Sequence, residues 1–257
     1  MRSTTQVVDG AVSDVTPLGS GLVWDQRGYV VTTYGGVARA GSAPAASTSQ
    51  SSSAAAAPGS GAPVPPAAPL VKGASVAQSA MPVAGRQLRV SILDASDGQM
   101  KQWTATVVGT SPLHNLAVLL LSDVPQESLA PVQLGSNADI RVGQAAFAVG
   151  LPFGQSSHAL SYGVISGARR PVPSGIPGLL LPGGAFLTDA TVDNMTSGGA
   201  LVDSSGRLMG MLLAPPNATR ASALGLTRPS SLAFAVPVDV VTCIVPQLIA
   251  YGEPRQT

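Results

Sequence analysis

A serine followed by two glycines, Ser197-Gly198-Gly199, is the part of this 257-residue chain best suited to chemistry. Glycine permits a sharp backbone and a close approach of substrate, so the serine hydroxyl can stand exposed as a nucleophile. The backbone N–H groups just before and at the serine are then placed to bind an oxyanion. In a chain with 29 glycines the tripeptide also fits an ordinary turn, and by itself the motif favours that interpretation.

A serine nucleophile needs a base, and few residues of this chain could serve as one. The chain contains two histidines, His114 and His158, and one cysteine, Cys243. A single cysteine excludes an intrachain disulfide and a multi-cysteine metal site. Two histidines leave little for a His-rich metal centre. We therefore expect neither a metal nor another cofactor.

The charge content excludes several other classes of function. Only 11% of the residues are charged, against roughly 25% in typical soluble domains. The net charge is +1, which argues against a nucleic-acid partner and against electrostatic docking on anionic lipid. The longest strongly apolar run, residues 116–121, is six residues long, whereas a spanning helix needs about 20. The first 15 residues show neither a signal peptide nor a transit peptide.

One low-complexity tract interrupts the chain. Residues 40–71 contain no charged side chain, and residues 42–69 are almost entirely Ala, Ser, Pro and Gly. Such a tract cannot bury enough apolar surface to offset the entropy of ordering it. We therefore predict a flexible insertion over residues 40–80, which a surface loop can accommodate at little cost.

On both sides of the insertion, short alternating or apolar runs bounded by Gly, Pro, Asn or Asp predict strands. Many short strands of this kind indicate a sandwich or a barrel. A helical pattern covers residues 239–249, and Pro246 predicts a kink or an end within it. Cys243 is expected to be buried and inert there. The predicted strands cover residues 21–25, 29–33, 87–94, 104–109, 116–121, 144–149, 159–166, 185–187, 200–202, 208–213 and 234–236.

Three motifs occur in order along the chain: residues 19–32, residues 115–119, and residues 188–206 around Ser197. In this order they resemble the motifs of the Deg/HtrA branch of trypsin-like serine proteases. The resemblance covers residues 19–39 and 86–252. The chain is particularly similar to the plant and green-algal chloroplast Deg protease that lacks a PDZ domain, above all in its tail, residues 245–252.

This resemblance implies an all-β fold, a trypsin-like double β-barrel of two six-stranded barrels followed by a C-terminal helix. It divides the chain into a short N-terminal segment (1–18), a first barrel (19–135) carrying the 40–80 insertion, and a second barrel with the helix (136–257), without a PDZ domain. Residues 6–9 match the opening strand of the family poorly. The first barrel is therefore expected to be incomplete, with an exposed edge that favours aggregation.

The catalytic triad of the family is degenerate in this chain. The resemblance assigns the nucleophile to Ser197, but it places Gly35 at the histidine position and Asn115 at the aspartate position. Glycine cannot accept a proton, and a serine without a base is a poor nucleophile. Met195 also replaces a glycine of the oxyanion loop, and Ala200 replaces a proline.

Three functional hypotheses follow. The first is an inactive pseudoprotease that binds unfolded protein or peptide segments, or that joins active Deg subunits in a homo- or hetero-oligomer. The second is an active serine endopeptidase in which His114, His158 or Lys72 replaces the base. The third is a non-functional truncated gene product. By resemblance the first would act in protein quality control in the chloroplast thylakoid lumen.

Overall fold

The structure is a computed structural model and describes residues 4–9, 16–40, 83–151, 158–174, 176, 178–213 and 232–255. Beyond Ala40, the predicted insertion lies outside the described residues, and so does Lys72. Within them the chain is mostly β, with two closed six-stranded barrels and a C-terminal helix. The prediction of a trypsin-like double barrel is confirmed.

The first barrel is closed by strands in the order β1-β2-β3-β6-β5-β4, with every neighbouring pair antiparallel. A short helix, α1 (Tyr34–Arg39), follows the third strand. The strands are β1 (Thr4–Asp9), β2 (Thr16–Val23), β3 (Tyr29–Thr33), β4 (Gln87–Leu93), β5 (Met100–Ser111) and β6 (Leu116–Leu121).

The expectation of an incomplete first barrel is wrong, because β1 supplies the missing strand. It pairs with β2 on one edge and with β4 on the other, so no edge is left open between them. Val7 points into the core and is only 1% exposed. The pairing is made by the backbone, so a strand whose sequence contains few large apolar residues can still close the barrel. For this reason the sequence pattern of residues 6–9 does not predict whether the first barrel is closed.

The second barrel has the order β10-β11-β12-β9-β8-β7 and is closed by the pairing of β7 with β10. Every residue of β11 and β12 is buried, as expected for strands packed on both faces. The strands are β7 (Ala145–Gly150), β8 (Ala159–Arg170), β9 (Ala185–Thr188), β10 (Ala200–Val202), β11 (Leu208–Leu213) and β12 (Ala233–Pro237).

The C-terminal helix, α2 (Val238–Tyr251), leaves the second barrel and packs on the first. Its last turn lies against β5, where Thr110 N–H donates to the carbonyl of Gly252 over 2.9 Å. Gly252 has a left-handed backbone, φ 79°, and ends the helix. A Cβ on Gly109 would collide with the backbone of this turn. The helix therefore ties the two barrels together.

Two expectations about this helix differ from the structure, one of them in part. The helix continues to Tyr251, so it does not end at Pro246, while a kink there stays a prediction. The expectation that Cys243 is buried is wrong. Cys243 is exposed, because it lies with Asp239 and Pro246 on the face turned away from the barrels. Within the described residues, no helix is long and apolar enough to cross a membrane.

A buried carboxylate ties together two turns at the end of the first barrel. Asp94 is 1% exposed and accepts hydrogen bonds from Lys101 Nζ (2.7 Å), from Ser96 and from Ser128 Oγ (2.9 Å). The ammonium group of Lys101 and the two serines hold the pKa of Asp94 well below its usual range. The charged form of Asp94 is therefore favoured by folding.

Replacing Asp94 with Asn should lower stability in a pH-dependent way. The folded pKa lies below the unfolded value of about 3.9. The stabilisation is thus present above that pH and is lost as pH falls toward the folded pKa. Denaturant melts from neutral pH to acid should show a gap between wild type and Asp94→Asn that closes at low pH. The exposed carboxylate Glu127 is the control, and a Glu127→Gln gap with the same pH dependence would contradict the assignment to Asp94.

Because β1 closes the first barrel, truncating Val7 should destabilise the protein. Val7→Ala removes two buried methyl groups and is expected to cost about 1 to 3 kcal/mol in the free energy of unfolding. Val142→Ala is the matched control, since Val142 is 65% exposed; it should change stability by less than about 0.5 kcal/mol. Equal effects in chemical denaturation would show that β1 does not belong to the core.

Candidate active site

Gly35, at the predicted base position, faces Asn115 directly. Gly35 N–H donates to Asn115 Oδ1 over 2.9 Å. A Cβ built on Gly35 would lie 3.5 Å from the same oxygen, and among the described residues it meets no other nearby group. The φ angle of Gly35 is not among the positive ones, so an L side chain fits this backbone. A side chain at position 35 would therefore be directed at residue 115.

Asn115 is the last residue of a turn, and hydrogen bonds of its backbone groups hold it in place. Residues 112–115 connect β5 to β6, and Asn115 has a left-handed φ of 53°, which asparagine tolerates better than most residues. Its N–H donates to the carbonyl of Pro112 and its carbonyl accepts from Tyr34 N–H, each over 3.2 Å. Asn115 is thus bound to the two residues at the start of α1 by both its backbone and its side chain.

The pair Gly35 and Asn115 cannot perform the acid–base part of serine catalysis. Glycine offers no group that could take the proton of a serine hydroxyl. The amide of Asn115 is neutral, so it could not stabilise an imidazolium as a carboxylate does. In this structure the amide oxygen is used to bind the N–H of the residue at the base position.

Ser197 lies on a short loop, residues 193–199, that we call the Ser197 loop. The Asp193 carboxylate accepts from Thr196 N–H (2.6 Å) and from Thr196 Oγ1 (2.5 Å). After the serine, Gly198 N–H donates to Leu212 O over 2.8 Å, on strand β11. The first pair of bonds closes a turn within the loop, and the second fastens the end of the loop to the second barrel. Ser197 is only 4% exposed, so in this structure it is buried rather than exposed as the motif predicts.

The first barrel contacts this loop through Ser20 on β2. Ser20 N–H donates to Ser197 O over 2.8 Å, and Ser20 Oγ donates to Met195 O over 2.7 Å. Gly198 has a left-handed φ of 89°, and a Cβ on it would collide with the Ser20 carbonyl oxygen. We call this contact between β2 and the Ser197 loop the seam. Sequence reasoning did not single out Ser20, although it stands between two glycines in the first motif.

The chain that leads into the Ser197 loop is fastened to β8. The carboxylate of Asp189 accepts from Val164 N–H over 2.7 Å, and Thr191 N–H donates to Ser161 Oγ over 2.8 Å. Gly163 lies under this contact, where a Cβ would collide with Asp189 and Ala190. The whole segment from Asp189 to Gly199 is thus supported by the second barrel.

Of the alternative bases, the structure gives side-chain contacts for His114. It lies in a turn formed by residues 112–115. The ring nitrogen Nδ1 of His114 is 2.8 Å from Ser111 Oγ. Partial burial lowers the pKa of His114. His158 precedes β8, and Lys72 lies outside the described residues.

The described part of the chain brings together no group of three or more His, Cys, Asp or Glu residues that could hold a metal ion.

Comparison with known proteins identifies the family. Residues 19–211 match the family described as the trypsin-like peptidase domain, and the chain belongs to that family. Within it, the chain is homologous to the Deg/HtrA serine proteases. It is 33% identical to Protease Do-like 1, chloroplastic, of Arabidopsis thaliana over 91% of this chain and 40% of that protein. It is 32% identical to Protease Do-like 5, chloroplastic, of the same plant over 91% of this chain and 58% of that protein.

Solved structures agree with the fold. The crystal structure of Deg5 covers 98% of this chain with a TM-score of 0.65 and 28% identity, over 91% of the Deg5 chain. The HtrA-type protease AlgW with decapeptide superposes with a TM-score of 0.63 at 21% identity, over 65% of its own chain. The chain spans from 40% to 58% of the length of the three chloroplastic Do-like proteases that it matches.

Because of the seam, alanine substitutions at two glycines of the same backbone conformation should differ greatly in their effect on the free energy of unfolding. Gly198 (φ 89°) meets the Ser20 carbonyl, whereas Gly143 (φ 88°) has no neighbour within 4 Å of a built Cβ. Gly143→Ala should cost only the left-handed strain, about 1 to 2 kcal/mol. Gly198→Ala adds a backbone collision and should cost more than about 4 kcal/mol or prevent folding. Similar free energies of unfolding for the two variants would contradict a tight seam.

Proposed function

We propose that this chain is a catalytically degenerate Deg/HtrA homologue, a pseudoprotease that binds unfolded protein or peptide segments without cleaving them. The observation that carries the proposal is the hydrogen bond from Gly35 N–H to Asn115 Oδ1 over 2.9 Å. A backbone amide and a neutral side chain occupy the two places where the family motif calls for a histidine and an aspartate.

The energetics favour inactivity. In serine proteases the members of the triad act as a unit, and loss of the histidine alone costs about 10⁶ in turnover. The oxyanion hole and substrate binding leave a residual of about 10³ to 10⁴ over the reaction in water. Here both the base and the group that orients it are replaced. We assign the retained nucleophile position to Ser197 and the oxyanion groups to the backbone of Met195 and Ser197, now without turnover.

A binding role uses what the chain retains. The Ser197 loop is held by Leu212 and Ser20 and by an internal hydrogen bond to Asp193, so its backbone groups have fixed directions in the absence of ligand. Fixed groups bind at a smaller entropic cost than groups that must first be ordered. Binding of an extended segment depends on such backbone groups and on surface shape, and it needs no base.

The proposed setting is plastid protein quality control, in the thylakoid lumen and beside active Deg proteases. It is supported by the names of the relatives, three of which are chloroplastic Do-like proteases. A second support is an apolar area on the outer face of β7 and β8. Leu160 is 55% and Tyr162 is 65% exposed there, and the Tyr162 ring lies 5.3 Å from the ring of Phe147. Exposed apolar patches often bind partner proteins.

The purified protein should bind an unfolded casein-type substrate but not cleave it. We expect no new fragments on prolonged incubation and no labelling by a fluorophosphonate probe, with an active Deg/HtrA protease as positive control. Ser197→Ala should bind the substrate as tightly as wild type, since it removes only the hydroxyl and keeps the backbone N–H groups of the Ser197 loop. Binding can be followed by fluorescence anisotropy of the labelled substrate.

The other two hypotheses give different results in this assay. Cleavage that Ser197→Ala abolishes would establish an active endopeptidase with a non-standard base. A folded protein that neither binds nor cleaves would leave only a role as a non-catalytic subunit, or no function at all.

The partner hypothesis is tested by co-purification with an intact Deg subunit. Leu160→Ser should weaken the complex, because it adds a polar group to the apolar face of β8. Leu180→Ser is a matched control, since Leu180 has nearly the same exposure (54%, against 55% for Leu160) but lies opposite Pro173 outside the barrel strands. Equal loss in both variants would show that the β7–β8 face is not the interface, and a clean monomer of the wild type would argue against any partner.

A further inference from the structure

Ser20 uses each of its backbone and side-chain polar groups at the seam. The residue is fully buried. Its N–H donates to Ser197 O (2.8 Å) and its carbonyl accepts from Thr32 Oγ1 (2.7 Å). Its hydroxyl donates to Met195 O (2.7 Å) and accepts from Leu151 N–H (3.0 Å).

These four contacts join three separate parts of the chain. Thr32 belongs to the first barrel, whereas Leu151 directly follows β7 of the second barrel and Met195 lies on the Ser197 loop. The Ser20 hydroxyl therefore connects the loop to the end of β7 as well as to the first barrel. A hydroxyl can do this because it donates one hydrogen bond and accepts others at the same time.

The contact to Met195 fixes one peptide plane. The Met195 carbonyl is held by Ser20 Oγ, and the N–H of the same peptide, on Thr196, is held by the Asp193 carboxylate. With both ends of the plane bonded, the Met195–Thr196 peptide cannot rotate without breaking a hydrogen bond. Because neighbouring peptide planes share a Cα atom, this plane limits the directions open to the Met195 N–H and the Ser197 N–H.

The chain is packed closely around the hydroxyl. A Cβ on Gly150 would lie 3.0 Å from Ser20 Oγ and 2.6 Å from the Thr196 side chain. Removing the hydroxyl would leave the Met195 carbonyl and the Leu151 N–H without this partner in a buried place, where an unsatisfied polar group is costly.

We propose that Ser20 is a positioning residue, whose hydroxyl sets the orientation of the Met195–Thr196 peptide and thereby the carbonyl-binding face of the Ser197 loop. The ligand class is the main-chain carbonyl of a bound polypeptide, and this part of the proposal rests on the function proposed above. Ser20 acts through Met195 and does not itself touch the ligand.

The experiment compares Ser20→Ala with Ser128→Ala. Ser128 is a matched control, because it is also a buried serine (4% exposed) and its hydroxyl donates to Asp94 in the first barrel. Amide hydrogen exchange measures local opening at Leu151 and at residues 194–198. Loss of a hydrogen bond worth about 1 kcal/mol corresponds to about a fivefold change in an opening equilibrium. We expect faster exchange at these amides, by about that factor or more, in Ser20→Ala only.

Binding of the unfolded casein-type substrate is measured on the same variants. Ser20→Ala should bind more weakly than wild type, whereas Ser128→Ala should lose thermal stability without losing affinity. Ser20→Cys, with a weaker donor in the same place, should lie between Ser20→Ala and wild type in both exchange and affinity. If Ser20→Ala does not fold, the comparison of Ser20→Cys with wild type tests the proposal.

Exchange at Leu151 and residues 194–198 that is no faster in the Ser20 variants than in Ser128→Ala would overturn the proposal. Faster exchange with unchanged affinity would overturn it as well, because Ser20 would then be only structural. If wild type binds no polypeptide, the proposed function fails, while the exchange data still decide whether Ser20 holds the loop.

Discussion

The Ser197 loop lies between two barrels, and its shape depends on contacts from both. The second barrel holds it through Leu212, and a hydrogen bond from Thr196 to Asp193 closes a turn within the loop itself. The first barrel contributes Ser20, which binds the carbonyls of Met195 and Ser197. Glycine is required where the two sides meet, because a Cβ on Gly198 would collide with β2. Helix α2 packs back on β5 and so also links the second barrel to the first. The strands of the two barrels thus place both sides of the seam in contact.

The framework and the chemistry of the site are separable in this chain. The turn that carries Asn115 and the helix that begins at Tyr34 are joined by hydrogen bonds from Tyr34 and Gly35. A base oriented by residue 115 would need a side chain at position 35 that points this way, and the backbone at position 35 would accept one. Glycine supplies none. A trypsin-like framework can therefore persist while proton transfer is lost, which is why binding without turnover is the function we propose.

Much of the fold could be predicted from the sequence, because alternation along Gln87–Leu93 and the apolar run of Leu116–Leu121 mark strands locally. The predictions failed where the deciding contact is distant. Strand β1 closes the first barrel through backbone pairing, which the pattern of its sequence does not indicate. The solvent-facing side of α2 at Cys243 likewise depends on packing. Ser20 and Met195 are 175 residues apart in sequence, and no local pattern reveals that they meet.

The most direct measurement asks whether the side chains missing at positions 35 and 115 separate this framework from catalysis. Gly35→His with Asn115→Asp should restore cleavage of an unfolded casein-type substrate, because a general base contributes about 10² to 10⁴ in rate. The restored rate should rise with pH as the imidazole loses its proton, around its usual pKa of about 6.5, and Ser197→Ala in the same background should abolish it. A folded double variant that cleaves no faster than the parent would contradict the account, because the seam and the Ser197 loop would then not form a catalytic framework.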